Sequence, residues 1–391
     1  MNTTSYPTPM RRGLLTWYCY LLVGFFTYLL NIQGNILPFL QSELKLSYRD
    51  ASLHFSAIAL GMIVVGLFGD GITGRLGRRN ALWLASASVM AGAVLQCLAP
   101  NAATSIASCF LIGCPGSLIP AIAFGLIGDI QKEHSDVAFG EASAITYVFG
   151  ILGPLAISLS LMLGAGWRNA LLLGAALGVI IVFSFRRVVI ADVAQGPEGR
   201  HGRLPPAYWA FWCLLASVVA LEFSVLFWAP AYLERVAGLS TATAAASAAA
   251  FSVAMIVGRA AGSFLVRRIS APKLLVAALL VSAGGFLVYW GVAQSTAAVA
   301  GLFMLGLGIA PLYPLTVGLA IAAAGPQTAS ASARFMLAVG ISILSMPALL
   351  GALADAFGLH AAHLVLPGLV LAGLAFLGIG LAVRKREPAL G

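Results

Sequence analysis

The chain has 391 residues, of which 60% are hydrophobic and only 9% are Asp, Glu, Lys or Arg. Soluble domains carry about 25% charged residues, so this composition excludes an ordinary soluble enzyme or binding module. The formal net charge of +9 would suit a nucleic-acid-binding protein, but the distribution of the basic residues indicates a membrane protein. The five cysteines show no paired spacing, so we expect neither disulfides nor a metal site, and no cofactor.

Twelve apolar stretches follow one another along the chain. A transmembrane helix needs about 20 mainly apolar residues, and these runs are continuous rather than alternating, which argues against a β-barrel. The sequence therefore predicts an all-α membrane protein with twelve transmembrane helices. Their expected bounds are 14–40, 50–73, 81–99, 103–129, 138–163, 168–186, 207–233, 242–267, 273–292, 297–323, 329–354 and 362–383.

The basic residues between these stretches lie mainly on one side of the predicted membrane. If the chain starts in the cytoplasm, sixteen of the 22 Lys and Arg residues lie in cytoplasmic segments, four in outer segments and two inside helices. Basic residues resist translocation, so both termini should be cytoplasmic. We expect a multi-pass protein of a bacterial inner membrane, a monomer that contacts lipid and does not bind nucleic acid.

A short segment rich in glycine and arginine joins predicted helices 2 and 3. Residues 69–80 read GDGITGRLGRRN. Glycine permits a tight reversal of the chain. The arginines and Asp70 could pair with neighbouring helix ends, such as Asp129 on helix 4 and the start of helix 11. A merely basic loop would explain the arginines, but not the spaced glycines or the acid.

The two halves of the chain resemble each other around a polar stretch rich in glycine and proline. This stretch, 188–206, predicts a linker between two bundles, 1–187 and 207–391. Proline kinks a helix, and three prolines recur at offsets of 192 to 194; the pairs are Pro38 with Pro230, Pro120 with Pro314, and Pro154 with Pro347. The alternative is that proline is simply frequent in membrane helices.

Residues 69–80 resemble the G-x-x-x-D/R-x-G-R-R loop of the major facilitator superfamily, and the repeat of the two halves supports this resemblance. The resemblance implies two pseudo-symmetric six-helix bundles with a substrate site between them near the middle of the membrane. It implies a secondary carrier that works by alternating access, and no enzymatic activity. In such families the loop acts as a latch between conformations. The residues assigned to the latch are Gly69, Asp70, Gly74, Arg75, Gly77, Arg78, Arg79, Asp129 and Arg334.

Two charges lie deep inside predicted spans, Glu222 in helix 7 and Arg259 in helix 8. A charge at the bilayer centre costs about 3 kcal/mol or more, so each is a candidate for function. Burial favours the neutral form of Glu222, which suits a proton carrier. Arg259 could bind a carboxylate through two hydrogen bonds, and monocarboxylate and nitrate carriers of this superfamily also use an arginine in helix 8. The alternative for each residue is a structural salt bridge.

Further polar residues could complete the site. By the repeat offset Glu222 corresponds to Leu30, so polar residues of helix 1 lie at a similar depth; they are Asn31, Gln33 and Asn35. Hydrogen bonds to substrate could also come from helices 5 and 10, through Tyr147, Tyr313 and Thr316, although such residues also join helices. His54 is a second candidate for proton coupling, or a histidine at the membrane edge.

We therefore predict a proton-coupled carrier of a small organic anion, similar to a monocarboxylate. Proton-driven export of a drug or another neutral compound is the alternative. Residues 150–158 partly resemble the antiporter motif of drug exporters, but Ile157 and Ser158 replace its glycine pair. A receptor or a membrane enzyme is a weaker alternative, since the sequence has no HExxH or GxSxG, and it has no GxxxxGK[ST] for nucleotide binding.

Overall fold

A computed structural model describes residues 12–131, 135–190, 204–291, 294–324 and 328–386. Within these ranges every regular element is helical. The helices are α1 (Leu14–Leu44), α2 (Tyr48–Leu76), α3 (Arg78–Cys97), α4 (Ala102–Ile130), α5 (Ser135–Met162), α6 (Arg168–Ser184), α7 (Pro206–Arg235), α8 (Thr241–Leu265), α9 (Ala271–Gly291), α10 (Ser295–Ala324), α11 (Thr328–Phe357) and α12 (Leu359–Arg386). Short breaks interrupt α4, α10 and α12.

The lengths of these helices confirm the predicted all-α membrane protein. Among the described residues, eleven helices are long and apolar enough to cross a membrane. The twelfth, α6, has 17 residues and is apolar but shorter. The predicted bounds differ from the observed ones by a few residues, mainly because α1, α2 and α7 continue past the apolar core of each stretch.

Three of the helices that begin at one face of the bundle have side-chain caps at their N-termini. Ser47 accepts a hydrogen bond from the N–H of Asp50 (3.0 Å) at the start of α2, and Asn101 accepts one from Thr104 (3.0 Å) at the start of α4. Ser240 caps α8 in the same way. Such caps satisfy N–H groups that have no partner within the helix. We name this face the opposite face, and the face where α1 begins and α12 ends the terminal face.

The connection between α2 and α3 is shorter than the sequence suggested. The predicted bounds of helices 2 and 3 left residues 74–80 between them, but α2 remains helical to Leu76 and α3 begins at Arg78. Only Gly77 reverses the chain, with a positive φ of 75° that favours glycine. The N–H of Gly77 still donates to the carbonyl of Thr73 (2.9 Å). The reversal therefore needs one glycine alone, because the backbone hydrogen bonds of α2 continue through the glycines before it.

Two clusters of buried apolar side chains follow the two halves of the chain. One runs from Tyr18 to Val182 and adds Ala245 from α8. The other runs from Leu204 to Leu377 and adds side chains of α1 and α2, among them Phe55. The two-bundle division of the chain stays a prediction, and most of its linker, 191–203, lies outside the described residues.

Contacts between the halves run from the opposite face to the middle of the bundle. The Asp355 carboxylate of α11 accepts hydrogen bonds from the N–H groups of Tyr48 and Arg49 at the start of α2, both at 2.7 Å. Deeper in, the rings of Phe55 and Phe227 stack with centroids 4.1 Å apart. We name this set of contacts the seam.

Glycines allow backbones to meet along the seam. A Cβ atom at Gly34 of α1 would lie 2.7 Å from the carbonyl oxygen of Phe227 on α7, and one at Gly351 of α11 would lie 2.7 Å from the carbonyl oxygen of Tyr48. At mid-depth a Cβ at Gly340 would collide with Ile63. The halves therefore touch at these points because no side chain separates them.

Candidate functional site

The structure brings the two predicted intramembrane charges together. Glu222 lies 13 residues before the end of α7, and Arg259 lies 18 residues after the start of α8. At 1.5 Å per residue these positions are about 20 Å and about 27 Å from the opposite face. The long arginine side chain spans the difference, and its Nη2 lies 3.7 Å from Oε1 of Glu222. The sequence left open whether these residues pair, and the structure pairs them.

The pair is loose and partly shielded from solvent. The side chain of Glu222 is 15% exposed and that of Arg259 is 29% exposed. A separation of 3.7 Å exceeds hydrogen-bonding distance, so the interaction is electrostatic. Nε of Arg259 is buried and has no hydrogen-bond partner within the described structure. A buried donor without a partner costs about 1–3 kcal/mol, so a ligand that supplies an acceptor would be favoured here.

Two tyrosines complete a group contributed by four helices. The guanidinium carbon of Arg259 lies 4.7 Å from the ring centroid of Tyr147 on α5, a cation–π contact. Tyr313 of α10 lies close enough to interact electrostatically with both Glu222 and Arg259. Thr316 follows one turn later on the same face of α10, and its buried hydroxyl has no partner in the described residues. Four of the predicted substrate-binding residues thus converge, with Thr316 beside them.

The predicted polar residues of α1 point in different directions. A Cβ at Gly150 of α5 would lie 2.6 Å from Nδ2 of Asn31, so Asn31 faces α5 about one turn from Tyr147. Asn35 donates to the carbonyl of Asn31 (3.3 Å), and its own Oδ1 is buried without a partner in the described structure.

Gln33 lies on another side of the same helix. Residues 31 and 33 are about 200° apart around an α-helix, so they cannot face one cavity. The amides of Gln33 and Gln96 on α3 exchange two hydrogen bonds, at 3.2 and 2.9 Å. Gln33 therefore packs within its own half, away from Arg259.

His54 is also placed inside the first half. It is 1% exposed, its Nδ1 lies 2.9 Å from the carbonyl of Ala51, and its Nε2 lies 2.9 Å from the hydroxyl of Ser105 on α4. Both ring nitrogens are engaged between α2 and α4. The structure does not bring His54 to the Glu222–Arg259 pair.

The residues assigned to the latch lie at the terminal face. Arg78 at the start of α3 forms a salt bridge with Asp129 near the end of α4 (2.6 Å), and Arg79 donates to the carbonyl of Arg186 (2.7 Å). The expected pairing of Asp129 with this arginine cluster is present. Asp70 lies on α2, and its side chain is outside the described residues.

Arg334 of α11 contacts aromatic residues of α7. Its guanidinium carbon lies 5.7 Å from the ring centroid of Trp209, and its carbonyl accepts a hydrogen bond from the indole of Trp212 (2.8 Å). Nη1 of Arg334 is buried and has no partner in the described part of the chain. Its role in a latch stays a prediction.

Sequence reasoning missed the residues of the seam. Asp355 stands at the end of a predicted span, where an acidic residue is unremarkable. Phe55 and Phe227 resemble any other aromatic residue of a membrane helix. Gly34 carried a weak signal, because it sits between Gln33 and Asn35 in the polar part of helix 1.

Comparisons with known proteins agree with this architecture. Residues 16–299 match the family model of the Major Facilitator Superfamily. An uncharacterized MFS-type transporter of Yersinia pestis is 25% identical over 335 residues, which are 84% of this chain and 85% of the relative.

Two solved structures share the fold. A bacterial homologue of the human lysosomal transporter Spinster, inward-facing and occupied, has a TM-score of 0.72 at 17% identity, covering 97% of each chain. The nucleoside transporter NupG has a TM-score of 0.73 at 13% identity, covering 96% of this chain and 100% of the other. At these identities the likeness concerns the fold alone. With most of its length matched by the family model, the chain belongs to the Major Facilitator Superfamily and is a multi-pass membrane protein, a secondary transporter of that kind.

Proposed function

We propose that the protein carries a small organic anion, similar to a monocarboxylate, together with protons. It works by alternating access in a bacterial inner membrane, with both termini in the cytoplasm. The observation that supports this function is the loose pair of Glu222 and Arg259, whose separation of 3.7 Å leaves the guanidinium without a hydrogen bond to the acid.

Arg259 is the anion site in this proposal. A guanidinium offers a planar edge of N–H donors that matches the two oxygens of a carboxylate. Nε of Arg259 is without a partner among the described residues, so an arriving carboxylate satisfies a donor that is already desolvated. The hydroxyl groups of Tyr313 and Thr316 supply neutral hydrogen bonds for the rest of the ligand.

Glu222 couples the proton to the anion. When ionised, it neutralises Arg259 and competes with the substrate carboxylate for the guanidinium. When protonated, it no longer competes, and Arg259 is free to bind the anion. Proton binding and anion binding therefore strengthen each other, and this coupling is reciprocal. The carrier moves proton and anion in the same direction.

The first experiment identifies the ligand class with purified protein. A thermal-shift screen compares lactate, pyruvate and benzoate with neutral glycerol and uridine, because a ligand that binds the folded state raises the apparent melting temperature. We expect shifts with carboxylates that grow as the pH is lowered. Shifts with uridine or glycerol alone would overturn the anion assignment in favour of a neutral substrate.

The second experiment tests coupling in liposomes. Glu222→Gln keeps the shape of the side chain but cannot titrate, so we expect it to lose proton-driven accumulation of the carboxylate found in the screen. Counterflow without a pH gradient should survive at least in part. The matched control is Glu234→Gln on the same helix, whose carboxylate accepts a hydrogen bond from Thr241 (2.7 Å) near the opposite face. Intact accumulation in Glu222→Gln would remove this residue from the coupling mechanism.

A further inference from the structure

The contact between Tyr147 and Arg259 differs from the contact between Glu222 and Arg259, because it crosses between the halves. Glu222 and Arg259 both belong to the second half, on α7 and α8. Tyr147 belongs to the first half, on α5. The guanidinium is thus held by a charge from its own half and by an aromatic ring from the other half.

We propose that Tyr147 is a positioning residue whose ring makes the anion affinity of Arg259 depend on how the two halves are placed. The inference rests on the proposed role of Arg259 as the anion site. It assigns Tyr147 a role through its ring, whereas a direct contact with substrate would use its hydroxyl.

The geometry lets ring and ligand act on different parts of the guanidinium. The guanidinium carbon lies over the ring at 4.7 Å, so the ring contacts the face of the group. The N–H donors project from the edge, where Nε has no partner in the part of the chain that the structure describes and Nη2 is beyond hydrogen-bonding distance of Glu222. Tyr147 can therefore orient the guanidinium while its donors stay available to a carboxylate.

The closed seam ties this contact to one conformation. Phe55 stacks on Phe227 at 4.1 Å, and Ile63 lies against Gly340, so the halves are together from the opposite face to mid-depth. Opening the seam requires the halves to rotate, which changes the distance from α5 to α8. A cation–π contact falls off beyond about 6 Å, so Arg259 keeps the ring only while the halves are placed as here. Binding of an anion by the oriented guanidinium then favours this conformation over the other.

Spin labels across the seam test the inference without a substrate. Labels are placed at Ala165→Cys in the first half and Gln294→Cys in the second, with the part-exposed Cys114 and Cys213 replaced by alanine. Pulsed distance measurements give the ratio of seam-open to seam-closed molecules. We expect Tyr147→Leu to raise this ratio about tenfold, whereas Tyr147→Phe, which keeps the ring, changes it less than about twofold.

The matched control is Phe139→Leu. Phe139 lies on the same helix, and its ring contacts Phe124 of its own half with centroids 5.9 Å apart. This variant should leave the ratio unchanged. The inference is overturned if Tyr147→Leu leaves the ratio unchanged, if Tyr147→Phe raises it as much as Tyr147→Leu, or if Phe139→Leu has the same effect.

A second arm adds 10-fold dilutions of L-lactate from about 10 mM, which lies above the usual range of KM values, about 1 μM to 1 mM. In the parent protein lactate should lower the ratio, and in Tyr147→Leu it should do so less. A ratio raised by Tyr147→Leu, with no effect of lactate in the parent, supports the dependence of the Tyr147–Arg259 contact on the placement of the halves and contradicts the proposed substrate class. A lactate effect of equal size in both proteins supports the proposed function and overturns the inference.

Discussion

Two carboxylate–guanidinium pairs of this protein have the same chemical composition and differ in geometry. Arg168 and Arg259 each pair with a glutamate on another helix, and each lies over an aromatic ring. The guanidinium carbon is 4.5 Å from the ring centroid of Trp167 in the first case and 4.7 Å from that of Tyr147 in the second. Arg168 forms two hydrogen bonds with Glu43, at 3.1 and 2.5 Å. Arg259 forms none with Glu222, because the closest approach is 3.7 Å.

The remaining donors show the same contrast. Nε of Arg168 donates to the carbonyl of Cys97 (3.0 Å), whereas Nε of Arg259 is buried without a partner in the described structure. Each of the three guanidinium nitrogens of Arg168 donates a hydrogen bond, and in this sense its donors are saturated. This pair is half-exposed at the opposite face, so it joins helix ends. The Arg259 pair lies deep in the bundle with unused hydrogen-bonding capacity, which makes an exchange of partners possible. Saturation of the donors, rather than the presence of a salt bridge, separates a structural pair from a candidate site.

The largest expected effect comes from replacing Arg259 by lysine, and the same replacement of Arg168 is the comparison. Arg259→Lys keeps the charge but loses the planar edge of donors, so transport of the carboxylate should fall about 100-fold, as for the loss of one or two charged hydrogen bonds. Arg168→Lys should lower transport by no more than about fivefold, because exposed pairs contribute about 0–1 kcal/mol. Initial uptake rates in liposomes at matched protein amounts measure both. Equal losses would show that saturation does not distinguish the two pairs.

A smaller effect is expected from the seam. Asp355→Asn removes the charge that accepts two N–H hydrogen bonds at the start of α2. A carboxylate at a helix N-terminus contributes about 0.3–1 kcal/mol, so the ratio of seam-open to seam-closed molecules should rise about two- to fivefold. The same pair of spin labels reports this ratio. Asp50→Asn is the control. Asp50 lies in the first turn of α2 and so belongs to the same half of the chain as that helix, whereas Asp355 belongs to the other half.

The smallest effect on transport is expected from the satisfied amide pair of α1 and α3. Gln33→Leu removes both amide hydrogen bonds of the buried Gln96 and leaves it a weak one to the thiol of Cys109, so it should lower the free energy of unfolding by about 1–3 kcal/mol. The double variant with Gln96→Leu should recover most of this loss, because only the weakly polar thiol of Cys109 then loses its partners. Thermal denaturation monitored by the fluorescence of a thiol probe measures both. Loss of transport by Gln33→Leu at unchanged stability would instead return Gln33 to the substrate site.

The class of fold could be predicted from the sequence because the bilayer imposes helix length and charge distribution. Twelve apolar runs and the loop around Gly77 were sufficient for the architecture and the family. The ends of the helices were less predictable, since α2 continues to Leu76 through residues that are polar but still form backbone hydrogen bonds. Hydropathy reports the lipid boundary, and a helix can extend past it.

The candidate site was predictable in part. Glu222 and Arg259 stood out because charges are expensive inside a membrane. Depth along a helix could be counted from the sequence, and the two charges do meet. The direction in which a side chain points around its helix could not be counted in this way, so the sequence grouped Gln33 with Asn31 although Gln33 faces α3. The aromatic contact of Tyr147 was also beyond the sequence, since it depends on how α5 and α8 approach one another.

The glycines of the seam give experimenters a means to trap the carrier. Closure at the opposite face requires that Gly34 carry no side chain, because a Cβ atom there would lie 2.7 Å from the backbone of Phe227. A larger residue at that position acts as a wedge between α1 and α7 and excludes the closed arrangement while leaving the charged pair chemically intact. Gly34→Val is thus a candidate for preparing a homogeneous sample of the other conformation. Together with the parent protein, it would allow both states of one carrier to be visualised.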